Sequence, residues 1–153
     1  MPLVAIALGS NLGDRRGHLE WAVDRLRELL TNLRVSSFIE TEPVDVPEPQ
    51  PPFLNGAVVG ETTIGPEELL GELLALERER GRERTAHRAP RTLDLDLILY
   101  GDLIVDSPAL VVPHPRFAER RFVLEPLAEI APHLKDPRSG QTVGQLFRRL
   151  LDL

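Results

Sequence analysis

The chain has 153 residues, of which 42% are hydrophobic and 27% charged, with a net charge of −6 and no cysteine. These proportions describe a soluble globular protein, one domain over residues 1–153, large enough to bury a real core. They exclude disulfides, thiolate zinc sites and a cysteine nucleophile, and no apolar run approaches the length of a membrane span. Met1 to Gly9 is apolar but short and lacks a basic leader, so it reads as a first strand rather than a signal peptide, and a cytoplasmic location is the expectation.

In chain order, Pro2 to Leu8 reads as a buried strand and Gly9 to Asp14 as the turn into a helix, with Gly9 and Gly13 serving tight turns. Asp14 is a natural N-cap. Leu19, Val23, Leu26, Leu30 and Leu33 keep helical spacing, so the helix is expected over Arg15 to Leu33. Alternation from Val35 to Glu40 predicts a second strand, and Phe53 to Thr62 a third. Between them, residues 42 to 52 carry five prolines, which makes this stretch a long loop. Gly65-Pro66-Glu67-Glu68 starts a second helix that Gly81 ends, its leucines being core. Thr92 to Tyr100 is the fourth strand, and Gly101-Asp102 a two-residue turn into a partner at Leu103 to Val105. The last helix has Val143, Leu146, Phe147 and Leu150 on one face. This order predicts an α+β fold with a ferredoxin-like βαββαβ core, helices on one face of a largely antiparallel sheet, and a C-terminal extension.

The chemistry concentrates in the fourth strand. Asp94 and Asp96 are two residues apart, so a strand puts them on one face, about 7 Å apart at Cα, with Leu93, Leu95 and Leu97 on the other. Two like charges so placed need water or a cation between them, and a hard divalent ion such as Mg²⁺ suits the pair. On spacing alone, the acidic outer face of a half-exposed strand is the simpler account. Just upstream, Arg78, Arg80, Arg82, Arg84, Arg88 and Arg91 place six arginines in fourteen residues of an acidic chain with a single lysine. Interleaved Glu77, Glu79 and Glu83 account for Arg78 and Arg80 as solvated helix pairs, but not for the arginines beyond Gly81. Guanidiniums beside paired carboxylates point to a polyphosphate with its metals. No Walker-type loop or dinucleotide fingerprint is present, so the phosphate cradle falls to arginines and metals. His18, His87 and His133 have no evident partner and are expected at the surface.

With these residues in place, the chain resembles the 6-hydroxymethyl-7,8-dihydropterin pyrophosphokinase family of folate biosynthesis. The resemblance is carried by Ala7-Leu8-Gly9-Ser10-Asn11-Leu12-Gly13, Ser36-Ser37-Phe38 with Thr41, Phe53-Leu54-Asn55, Gly81-Arg82-Glu83-Arg84, Pro90-Arg91-Thr92-Leu93-Asp94-Leu95-Asp96-Leu97, and Val112-Pro113-His114 with Arg120 and Phe122. It implies a monomeric or weakly associating enzyme that moves the β,γ-diphosphate of ATP onto the pterin's hydroxymethyl oxygen and releases AMP. It further implies that Asp94 and Asp96 hold two Mg²⁺ ions and that Arg82 and Arg91 clamp the phosphates as catalytic residues. Glu77, Arg84, Arg88, His114 and Arg120 would serve ATP. On the pterin side, Phe53 and Phe122 would stack on the ring, Asn55 would read its edge, and Thr41, Glu42 and Val44 would supply the remaining strip. The chain departs from the family pattern at Glu42, Thr85, Ala89 and Pro115. Two other functions compete: a kinase transferring only the γ-phosphoryl group, and a nucleic-acid-binding module on the same kind of sheet. The second lacks the basic charge and paired sheet aromatics such modules use, so small-molecule substrates, without nucleic acid or membrane, are expected.

Overall fold

A computed structural model of the chain describes residues 1–42, 50–81 and 92–152. In chain order the elements are β1 (Leu3–Ser10), α1 (Arg15–Leu26), β2 (Thr31–Val35), β3 (Ile39–Thr41), β4 (Phe53–Glu61), α2 (Pro66–Arg80), β5 (Asp94–Tyr100), β6 (Val105–Asp106), β7 (Val111–Val112), a 3₁₀ turn at Phe117–Glu119, α3 (Arg121–Ile130) and α4 (Val143–Leu151). The main sheet is antiparallel in the order β2-β4-β1-β5, with β3 also on β4. β2 lies along residues 58–61 of β4 and β3 along residues 53–55. Ser36 bridges the two short strands: its hydroxyl accepts from the Ala57 N–H at 2.9 Å and donates to the Ser37 carbonyl at 2.8 Å.

Both faces of this sheet are covered, which is why β1 and β4 are apolar almost throughout rather than alternating. Val4, Ile6, Leu8, Leu54, Val58, Leu95 and Leu97 pack against α1 and α2. Ala5, Ala7, Ala57, Val59, Ile98 and Leu99 pack against α3 and α4. The expectation of helices on one face therefore holds for α1 and α2, while the C-terminal helices close the second face. Ile98 and Leu99 both face the second core because β5 carries one extra residue there: Ile6 pairs with Leu97, and Ala5 with Leu99.

Local signals set most of the helix boundaries. Asp14 caps α1 by accepting from the Gly17 N–H at 3.1 Å. Pro66, with Glu67 and Glu68 behind it, opens α2, and Gly81 closes it. Thr142 and Gln145 form a reciprocal capping box at α4. α1 and α2 are joined by Trp21, which has the Arg25 and Arg80 guanidiniums 5.2 Å from its ring. Arg80 also donates to His18 Nδ1 at 2.9 Å, so His18 is half-buried and partnered rather than a surface group.

Four expectations need correction. The first helix ends at Leu26, not Leu33: the chain turns through i→i−3 bonds at Glu28 and Leu29, and β2 then begins, with a φ of +53° at Asn32 where its register on β4 slips. Leu30 still reaches the core, but from that turn, and Thr31–Val35 is already strand, so the strand expected over Val35 to Glu40 is two short ones. Gly101-Asp102 turns the chain, yet residues 103–104 form no strand, and Val105–Asp106 pairs with Val111–Val112 instead. Gly9 lies inside β1 and not in a turn.

Candidate active site

The register of the sheet lines up the residues that matter. Asn55 of β4 pairs with Gly9 of β1, and Gly9 pairs with Asp94 of β5. Cross-strand partners point to the same face, so Asn55 and Asp94 look the same way across a glycine, about 10 Å apart at two strand spacings. One step along, Asp96 pairs with Ala7, and Ala7 with Ala57. Gly9, Ala7 and Ala57 thus make a floor of small residues between carboxylates and amide. A Cβ on Gly9 would stand 3.0 Å from Asn55 Oδ1 and 3.5 Å from Phe53 Cδ1. Here the missing side chain has a reason: the floor is shaped by it.

On the β4 side, Phe53 is half-buried and pairs with Thr41, and the Asn55 amide donates to the Thr41 hydroxyl. Asn55 itself is buried, and Glu42 is exposed beside it. Phe122, at the start of α3, packs on the same face of the sheet and carries the Arg120 guanidinium 5.6 Å from its ring. A flat ring with polar edges would find apolar faces and a fixed amide in this corner.

On the β5 side, Asp94 and Asp96 are half-exposed, as the i, i+2 spacing requires. Glu77 reaches from α2 around the outer edge of the strand, its Oε2 accepting from the Leu95 N–H at 2.7 Å between the two aspartates. The three carboxylates and His114 line a cleft of about 330 Å³. Its apolar wall comes from Leu70 and Leu74 of α2 and from Pro108 to Val111. Leu74 is exposed, so it is not core as the sequence reading expects, whereas half-buried Leu70 packs against the core as well as lining the cleft. The 108–111 segment was missed altogether, since nothing in its composition marks it. His114 is anchored by its backbone N–H to the Ile98 carbonyl at 2.9 Å. Burial lowers its pKa below the ordinary 6.5, Arg120 and Arg116 lower it further, and Asp94 opposes them, so the ring is neutral at pH 7.

Arg82, Arg84, Arg88, Arg91 and Val44 lie outside the described residues. Gly81 and Thr92, which flank that segment in the chain, lie together: a Cβ on Gly81 would stand 3.6 Å from Thr92 Cβ, and Thr92 is two residues from Asp94.

Over residues 5–132 the chain matches the family described as 7,8-dihydro-6-hydroxymethylpterin-pyrophosphokinase (HPPK). It belongs to that family. The HPPK of Synechocystis sp., named 2-amino-4-hydroxy-6-hydroxymethyldihydropteridine pyrophosphokinase, is 43% identical over 148 residues, covering 95% of this chain and 74% of the relative. The Bacillus subtilis enzyme of the same name is 46% identical over 140 residues, 90% of this chain and 83% of the relative. The fold is shared with the wild-type HPPK-DHPS of Plasmodium falciparum, with a TM-score of 0.74 at 14% identity, over 99% of this chain but only 45% of that one. The chain thus spans less than half the length of the bifunctional chains it overlays. As a family member it is an ATP-dependent pyrophosphokinase of folate synthesis acting on hydroxymethyldihydropterin.

Proposed function

We propose that the transfer takes place across the Gly9–Ala7 floor, with the nucleotide in the cleft at the outer edge of β5 and the pterin in the corner formed by Phe53, Asn55 and Phe122. The observation that carries this reading is the row Asn55–Gly9–Asp94, which sets a ring-reading amide and a metal-type carboxylate on one face with nothing bulky between them.

Asp94 and Asp96 suit Mg²⁺. Among the described residues no group of three or more His, Cys, Asp or Glu is placed to hold a metal by itself. A pair of half-exposed carboxylates matches an ion that keeps waters and takes substrate phosphates as further ligands, and two ions are the proposed complement. Bound there, Mg²⁺ would neutralise phosphate charge and acidify the attacking hydroxyl.

The chain's own residues do the rest. Phe53 and Phe122 hold the pterin ring between them. Asn55, with its amide committed to Thr41, presents Oδ1 over the floor to the ring edge, and Thr41, Glu42 and Val44 complete that edge. The hydroxymethyl oxygen then faces the β-phosphorus; its bond to phosphorus forms as the bond to the α,β-bridging oxygen breaks, and AMP leaves. Arg82 and Arg91 carry the charge that develops, with Arg84 and Arg88 assisting. Glu77, His114 and Arg120 border the nucleotide, and Glu77 also holds the strand that carries the aspartates. We read residues 1–153 as one pyrophosphokinase domain with the ferredoxin-like order β5-β1-β4-β2 at its centre and α3 and α4 as its C-terminal extension, acting as a cytoplasmic monomer on small molecules without nucleic acid. No described helix is long and apolar enough to cross a membrane.

Asp94→Asn and Asp96→Asn test the assignment. Each is expected to lower kcat at least about a hundredfold, the scale of losing a charge-stabilising group. Thermal midpoints should stay near the parent's, because both side chains are half-exposed. Parent-like turnover in either variant would remove the metal role.

A further inference from the structure

The start of α1 grips the pterin side of the sheet through residues that the transfer itself does not use. Arg15, in the first turn of α1, donates from Nη1 to Glu40 Oε1 at 3.0 Å and to the Pro52 carbonyl at 2.9 Å. Glu40 belongs to β3, and Pro52 immediately precedes β4. Asn11, wholly buried four residues earlier, donates from Nδ2 to Gln50 Oε1 at 2.9 Å and to the Pro51 carbonyl at 3.3 Å. Residues 11–15 therefore hold β3, which precedes the proline-rich stretch, and the last residues of that stretch, 50–52, at once.

That grip has a specific consequence for the site. β3 is three residues long and lies at the sheet's edge, so its own ladder fixes it weakly. Its last pair, Thr41 with Phe53, is the point where the two strands part. The Asn55 amide donates to the Thr41 hydroxyl, which anchors the side chain with its Oδ1 toward Gly9. Arg15 ties the chain segments beside this pair, by a salt bridge to Glu40, one residue before Thr41, and a bond to the carbonyl of Pro52, one residue before Phe53. Its side chain is 29% exposed and that of Glu40 60%, so the carbonyl bond is partly shielded from water while the salt bridge lies at the surface.

We propose that Arg15 is a positioning residue for the pterin half of the site: by tying β3 to the entry of β4 it keeps Thr41 on Asn55, and so sets pterin affinity without touching the substrate. The proposal rests on the reading of Asn55 as a pterin residue. The test uses the full chain with Arg15→Ala and Arg15→Lys. KM is measured separately for hydroxymethyldihydropterin and for ATP, together with pterin affinity in the presence of Mg²⁺ and a non-hydrolysable ATP analogue. Arg15→Ala should raise the pterin KM and Kd about tenfold, the scale of losing a hydrogen bond to a charged group, with the ATP constant unmoved. Arg15→Lys, which keeps the charge for Glu40 but not the planar fork, should recover part of the loss, and it carries the test if the alanine variant fails to fold. A role confined to stability would lower the thermal midpoint and leave the ratio of the two KM values at its parent value. That result, or pterin and ATP constants rising together, would overturn the proposal. Failure of the parent chain to convert the pterin would instead bring down the functional reading on which it rests.

Discussion

His114 stands where burial and like charge act together. The ring is pushed below its ordinary pKa of 6.5 by burial first, then by Arg120 and Arg116, with Asp94 offsetting part of the effect. In the unfolded chain the same ring takes up its proton near 6.5, so below that pH the unfolded state binds more protons and folding stability declines as the pH falls. Above 6.5 both states are neutral and the ring contributes nothing to the pH dependence. Thermal midpoints measured without metal from about pH 7.5 to 5 should therefore fall more steeply for the parent than for His114→Asn. Parallel curves would mean that other groups carry the acid sensitivity. At this scale the sequence is legible when the geometry is local: Asp94 and Asp96 face together because a strand alternates, and that follows from two residues of spacing. His18 shows the opposite case, since its partner Arg80 is 62 residues away and no local pattern announces it.

Elements were readable where they carry their own punctuation. Asp14 and Gly81 each place a boundary through a backbone group that needs a partner, and Pro66 does so through the N–H it lacks. The first helix was misjudged because Leu30 and Leu33 continue its spacing from a turn and a strand; poor helix formers at Thr31 and Asn32 were the competing signal. The expected hairpin after Tyr100 fails because residues 103–104 pass the sheet by, and β6 finds β7. Gly9 is the element-scale lesson for function. A glycine after an apolar run suggests a turn, yet its role is lateral, between strands that the sequence does not order. Adding a branched side chain there should displace Asn55 and Phe53 while leaving the extended backbone of β1 unstrained. Gly9→Val is expected to raise the pterin KM by about tenfold or more, the penalty for sub-ångström misplacement of positioning groups. A variant with parent-like pterin KM would show that the floor is not part of the site.

For the whole molecule, the two cores divide the labour of the sheet. Leucine-rich α1 and α2 cover one face, while α3 and α4 cover the second and bring Arg120 and Phe122 over the working end. The α+β class and the antiparallel sheet followed from the element sequence, but the covering of both faces did not, because the proline-punctuated C-terminal third hides which surface its helices seek. The cleft wall at residues 108–111 was hidden for the same reason, being assembled by tertiary placement alone. On the proposed reading, one surface would present an acidic pair and a ring-binding corner to a single reaction. The nucleotide released from ATP, Mg²⁺ and hydroxymethyldihydropterin, separated by chromatography, tests that most directly. The account predicts AMP in step with pterin diphosphate, at a rate that collapses in Asp94→Asn; ADP as the product, or no nucleotide turnover tied to the pterin, would contradict it.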